Sequence, residues 1–167
     1  MNFKQIIKKR WVKILLEILF FVLLYLSLRA YQQWDMISGS APQFEAITLQ
    51  QRAIDLYSNP KPTLVHFWAT WCAVCKLEQD SIVDLSKDYN VITIAMQSGS
   101  DQEIKDFMAE HKLDFQVIND KSGELVNRYG VVAVPASFVV DSNNQITSKE
   151  VGYTTEWGLR LRLWLAD

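Results

Sequence analysis

Hydropathy divides the chain into one long apolar stretch near the N-terminus and a body in which short apolar runs alternate with amphipathic ones. From Ile14 to Leu28 only Glu17 and Ser27 interrupt the apolar side chains. Counted from Trp11 to Tyr31, the stretch has roughly the 20 residues a bilayer-spanning helix needs. Trp11, Tyr31 and Trp34 stand where interfacial aromatics belong, and the bases on the N-terminal side predict a cytoplasmic N-terminus. A cleaved signal peptide would want small residues just after the run, but Ser27-Leu28-Arg29-Ala30 is a poor cleavage site. A buried core helix would not carry apolar side chains all round with five flanking bases. The expectation is a signal anchor over about 11–31 within a basic segment 1–31, then a polar tether over 32–43 and a folded domain over 44–167.

Within the body, Phe44–Leu49 and Ala53–Leu56 are expected as two short strands around a turn, and Asn59-Pro60-Lys61-Pro62 punctuates the chain. Thr63–Ala69 is a near-continuous β-rich apolar run, the pattern of a strand buried on both faces. The period then becomes helical from Cys72 to about Lys87, with Val74, Leu77, Ile82 and Leu85 marking one face. Further on come a strand over Asn90–Met96, a helix from Asp101 to Lys112, a strand over Phe115–Ile118 and a short helix over Glu124–Tyr129 ended by Gly130. Ser137–Asp141 and Ile146–Gly152 form a hairpin, and a closing helix from Thr154 or Thr155 carries Trp157, Leu161, Trp164 and Leu165. The order predicts an α/β fold with a central mixed sheet.

Charge sharpens the division. Six bases and one acid fall in the first 31 residues, leaving 11 bases against 18 acids, a net of −7, for the remainder of the 167. A basic membrane-proximal segment followed by an ordinary acidic body fits that split. With a net charge of −2 overall, a nucleic-acid binder driven by phosphate neutralisation is excluded. A chain that is 49% hydrophobic is neither disordered nor a disulfide-dense mini-protein.

Only two cysteines are present, Cys72 and Cys75, and they sit at the junction of the buried strand and its helix. Unpaired amides and the helix dipole at that junction favour a thiolate on Cys72. One turn on, Cys75 is close enough to close a small disulfide ring. Cys72 is the expected exposed nucleophile and Cys75 the shielded resolving thiol. Two unrelated core cysteines, or a copper-thiolate site, are the competing readings; a structural zinc site lacks the remaining ligands.

The segment Val65-His66-Phe67-Trp68-Ala69-Thr70-Trp71-Cys72-Ala73-Val74-Cys75-Lys76 resembles the active-site segment of the thioredoxin superfamily, and Val134-Pro135-Ala136-Ser137-Phe138-Val139-Val140-Asp141 resembles its cis-proline loop. With the anchor and the early hairpin, the chain is similar to the membrane-tethered TlpA/ResA-like branch. Ala95–Asp101 and Gly152–Ala166 add a narrower likeness to the suppressor-of-copper-sensitivity D-type disulfide oxidoreductases. The resemblance implies a thioredoxin fold with an N-terminal β-hairpin, a redox-active Cys72–Cys75 disulfide, and no bound cofactor or metal. It also implies a cis Pro135 whose neighbouring backbone, at Val134, pairs with a partner's extended chain. Trp71 is expected to shield the disulfide or to join the core. His66 takes the position where many thioredoxins hold a buried carboxylate, and is either a base for Cys75 or a hydrogen-bonded core histidine. Glu78 matches the acid that the ResA-like branch places near its dithiol; the alternative is a solvated carboxylate. Ala73 and Val74 replace the Gly-Pro common in thioredoxin itself.

These features point to a membrane-tethered periplasmic thiol-disulfide oxidoreductase acting on cysteine-containing proteins. Its direction would be reductive, in copper stress or cytochrome c maturation, with electrons from a transmembrane thiol-disulfide donor in the bacterial inner membrane. A peroxiredoxin-like thiol peroxidase and a copper-binding dithiol module are the alternatives. The peroxidase usually has Pro and Thr/Ser upstream of a lone cysteine, and Val65–Ala69 holds no proline.

Overall fold

The computed structural model describes residues 3–167, with side chains from Arg10 onward, so Lys4, Lys8 and Lys9 of the basic cluster have side chains outside the described residues. The chain divides into two compact units, 1–34 and 35–167. The first holds helix α1 (Phe3–Gln32), whose 23-residue stretch Arg10–Gln32 is long and apolar enough to cross a bilayer. Its apolar side chains from Trp11 to Leu28 are exposed.

The second unit is built on a six-stranded sheet in the order β1-β8-β7-β4-β5-β6. Its strands are β1 (Gly39–Ser40), β4 (Thr63–Trp68), β5 (Asn90–Met96), β6 (Val117–Asp120), β7 (Ala136–Val140) and β8 (Gln145–Val151). β4, β5 and β6 run parallel, while β7 and β8 pair antiparallel. A separate hairpin joins β2 (Glu45–Ile47) to β3 (Ala53–Asp55). Every residue of β4 is buried, polar Thr63 and His66 included, as its near-continuous apolar run predicts. Leu64 and Trp68 pack on one face of the sheet with α2 (Ala73–Asp88), α3 (Asp101–Glu110) and α5 (Glu156–Leu165). Val65 and Phe67 pack on the other with α4 (Glu124–Arg128) and Tyr129. The mixed sheet between helical layers is the expected architecture.

Several local expectations differ from the structure, among them the third parallel strand, which spans Val117–Asp120 and not Phe115–Ile118. The stretch 32–43 was expected as a tether, yet Gly39–Ser40 pairs with Gln145–Ile146 as the edge of the sheet, and Met36 and Ala41 are buried. The compact unit therefore takes in Asp35 onward. Short polar stretches with isolated apolar residues look like linkers in one dimension, whereas an edge strand needs only two paired residues. Gly130 belongs to the same packing: at φ +64°, a Cβ there would stand 1.9 Å from the Asp35 carbonyl oxygen.

On α5 the expected apolar stripe faces solvent. Trp157 is 80% and Trp164 67% exposed, while Leu159 and Leu163 fill the core. Both stripes have helical spacing, so period alone could not choose between them. On α2, Ile82 and Leu85 are buried as expected, but Val74 and Leu77 are exposed, and Cys75, Glu78 and Gln79 take their places in the interior.

Candidate active site

The site forms where β4 ends. Thr70 N–H donates to Ser98 Oγ at 3.1 Å, tying the turn to the loop that follows β5. The chain then enters α2 with Cys72 as its N-cap residue, and Cys72 Sγ accepts from the Cys75 amide at 3.1 Å. A sulfur is thereby held against the positive end of a sixteen-residue helix, where amides and dipole stabilise negative charge once the thiol is reduced. Cys72 and Cys75 form a disulfide with Cα atoms 5.3 Å apart. Cys72 is 6% exposed and Cys75 1%. Cys72 is therefore buried like Cys75 and not the exposed nucleophile expected, with Val134 packed against it and the Val134 carbonyl oxygen 3.5 Å from Cys72 Sγ.

The Val134–Pro135 peptide bond is cis, and Pro135 immediately precedes β7. At that strand-start position its missing N–H costs no ladder bond, and its carbonyl accepts from the Gly152 amide at 2.8 Å. Trp71 is not core: it is 61% exposed, and its Nε1–H donates to the Gln97 carbonyl at 3.3 Å beside the dithiol.

Behind the disulfide lies a buried polar group. His66 on β4 is 2% exposed, and its Nδ1 lies 2.9 Å from Ser137 Oγ on β7. Its Nε2 lies 3.6 Å from Oε1 of Glu78, which is 1% exposed and one turn beyond Cys75 on α2. Glu78 Oε2 accepts from the Thr154 amide at 3.0 Å, so the carboxyl is not a solvated surface group. Burial pushes Glu78 up to about 7, partly offset by the Thr154 hydrogen bond, and pushes His66 down to about 3. Burial thus disfavours the charged form of both groups, and sets a neutral imidazole beside a carboxyl held toward its protonated form.

Ser137 and Thr154 escaped sequence reasoning as site residues. The signal for Ser137 was available: it is the polar member of a wholly buried strand and stands opposite His66 in the β4–β7 register. Thr154 contributes only its backbone, which leaves no trace in side-chain chemistry. His111 is the C-cap residue of α3 and stacks on Phe107 at 4.1 Å. Among the described residues no cluster of three or more His, Cys, Asp or Glu is placed to hold a metal ion.

Comparison with known proteins agrees with this geometry. The chain is 31% identical over 131 residues to a thioredoxin-like protein of Haemophilus influenzae, covering 75% of this chain and 78% of that protein. It is 31% identical over 125 residues to the thiol-disulfide oxidoreductase ResA of Bacillus thuringiensis, covering 72% of each. The crystal structure of StoA from Bacillus subtilis superposes with a TM-score of 0.65 at 25% identity, over 74% of this chain and 96% of that one. These names bear on the wider resemblance; the narrower one, to the copper-sensitivity D-type proteins, rests on the sequence segments alone. The AhpC/TSA family model matches residues 37–149, and the chain belongs to that family as a thioredoxin-like thiol-disulfide oxidoreductase.

Proposed function

We propose that the protein is a membrane-tethered, periplasmic reductant of protein disulfides in which Cys72 attacks and Cys75 resolves. The supporting observation is the disulfide at the N-terminus of α2, with Cys72 the less buried sulfur and the Val134 carbonyl beside it. A substrate's cysteine-bearing segment, extended along Val134 and Pro135, would present its disulfide to Cys72. Thiolate attack forms a mixed disulfide and releases the substrate's first thiolate. Cys75 then displaces the second, which regenerates the Cys72–Cys75 disulfide and leaves the substrate reduced. Glu78 is the group suited to take the Cys75 proton, since a carboxyl near 7 exchanges protons readily at neutral pH. His66, held near 3, is too weak a base for that task.

The membrane part of the reading rests on α1, with bases ahead of the span and residues from Asp35 onward as the catalytic unit. In an oxidising compartment such a protein needs a transmembrane thiol-disulfide donor to return it to the dithiol. Copper-stress defence and cytochrome c maturation are the two settings the sequence resemblance offers.

Purified full-length protein should accelerate insulin reduction by dithiothreitol, and Cys72→Ala should not. Full activity in Cys72→Ala refutes the assignment of the nucleophile. A membrane-impermeant maleimide applied to intact spheroplasts should label the reduced cysteines; protection until the membrane is opened refutes the periplasmic placement.

A further inference from the structure

His66 occupies an unusual position for an imidazole. It lies inside the sheet, flanked in register by Thr93 on β5 and Ser137 on β7, with a hydroxyl at one ring nitrogen and a carboxyl at the other. A neutral imidazole carries one proton, on either nitrogen, and a serine hydroxyl both donates and accepts. The Nε2–Oε1 separation of 3.6 Å is longer than a hydrogen bond, and a side-chain adjustment of a few tenths of an ångström closes it.

We propose that His66 is a positioning residue whose tautomer follows the protonation state of Glu78, with the Ser137 hydroxyl turning to match. With Glu78 ionised, Ser137 O–H donates to Nδ1 and Nε2–H donates to the carboxylate. With Glu78 protonated, its O–H donates to Nε2, and Nδ1–H donates to Ser137 Oγ. Each arrangement gives both ring nitrogens a matching hydroxyl or carboxyl partner, which matters because an unmet ring nitrogen in this buried setting costs about 1–3 kcal/mol. The second arrangement holds one proton more than the first, with the ring proton moved from Nε2 to Nδ1. No electrons enter; the extra proton is the one Cys75 gives up as it displaces the substrate's second thiolate and regains when the dithiol is restored.

Burial holds the ring neutral throughout the range in which the carboxyl titrates, which is the condition a tautomer exchange requires. The groups that face Glu78 are His66 from β4 and the Thr154 amide from the connection after β8, and Cys75 stands one turn back on α2. Beyond Ser137, Glu150 on β8 is paired with Arg162 on α5 at 2.6 Å. The inference rests on Glu78 as the proton-handling group and adds how that carboxyl is accommodated in both states.

The test is a pH titration of oxidised full-length protein in detergent micelles, following the His66 ring nitrogens by 15N NMR and the Glu78 carboxyl by 13C NMR. The protonated nitrogen should change from Nδ1 at acid pH to Nε2 at alkaline pH, with a midpoint coincident with that of the carboxyl. In Glu78→Gln the change should vanish. A ring that keeps one tautomer across the carboxyl titration, one that becomes imidazolium instead, or a change that persists in Glu78→Gln overturns the proposal. Insulin reduction by the same preparation separates the two readings: exchange activity with a fixed tautomer sinks this inference alone, whereas absent activity sinks the disulfide-exchange reading.

Discussion

Cys72 and Glu78 set the chemistry at the scale of single residues, and both act through burial next to backbone amides. Glu78 makes a specific prediction for stability against pH. Its folded pKa, about 7, lies above the ordinary 4.5, so the unfolded chain ionises it more easily than the native one. That penalty is absent below about pH 4.5, grows between there and 7, and is complete above, to an upper limit of roughly 3 kcal/mol. His66 has the opposite sign: neutral in the fold to about 3, it weakens the native state as pH falls from 6.5. Glu78→Gln should therefore gain stability relative to the native sequence between pH 5 and 8, as read by thermal melts. A difference independent of pH would show that Glu78 is not a buried titrating acid.

At the scale of elements, α5 best separates what a linear pattern reveals from what it hides. Its two apolar stripes are equally periodic, and only the sheet it packs against chooses Leu159 and Leu163. Leu163→Ala should cost about 2–5 kcal/mol, and Trp157→Ser should stay within about 0.5 kcal/mol. Equal losses in denaturant midpoint would mean that the buried face is misassigned. The strands and the helix around the dithiol were legible because their signals are local: a near-continuous run of strand-favouring apolar residues, a cysteine at a cap, a proline before a strand. The β1 pairing was not legible, since a two-residue edge strand is defined by its distant partner, Gln145–Ile146. The same holds within the site. Cys72, Cys75 and Pro135 carry motifs, whereas the contacts among Ser137, His66, Glu78 and the Thr154 amide exist only once β7, β4, α2 and the β8–α5 connection meet.

At the scale of the whole molecule, the charge split and the two compact units describe the same division: a basic, apolar helix and an acidic catalytic body. The sheet serves the body by bringing the end of β4, the start of β7 and the cap of α2 to one point, so that the dithiol and the carbonyl that faces it belong to different elements. A substrate held there would meet a single reactive sulfur. Incubating reduced Cys75→Ser protein with a disulfide-bonded peptide should trap a stable mixed disulfide, and peptide mapping by mass spectrometry should place it on Cys72. An unmodified protein, recovered with its thiol intact after prolonged exposure, would contradict the account.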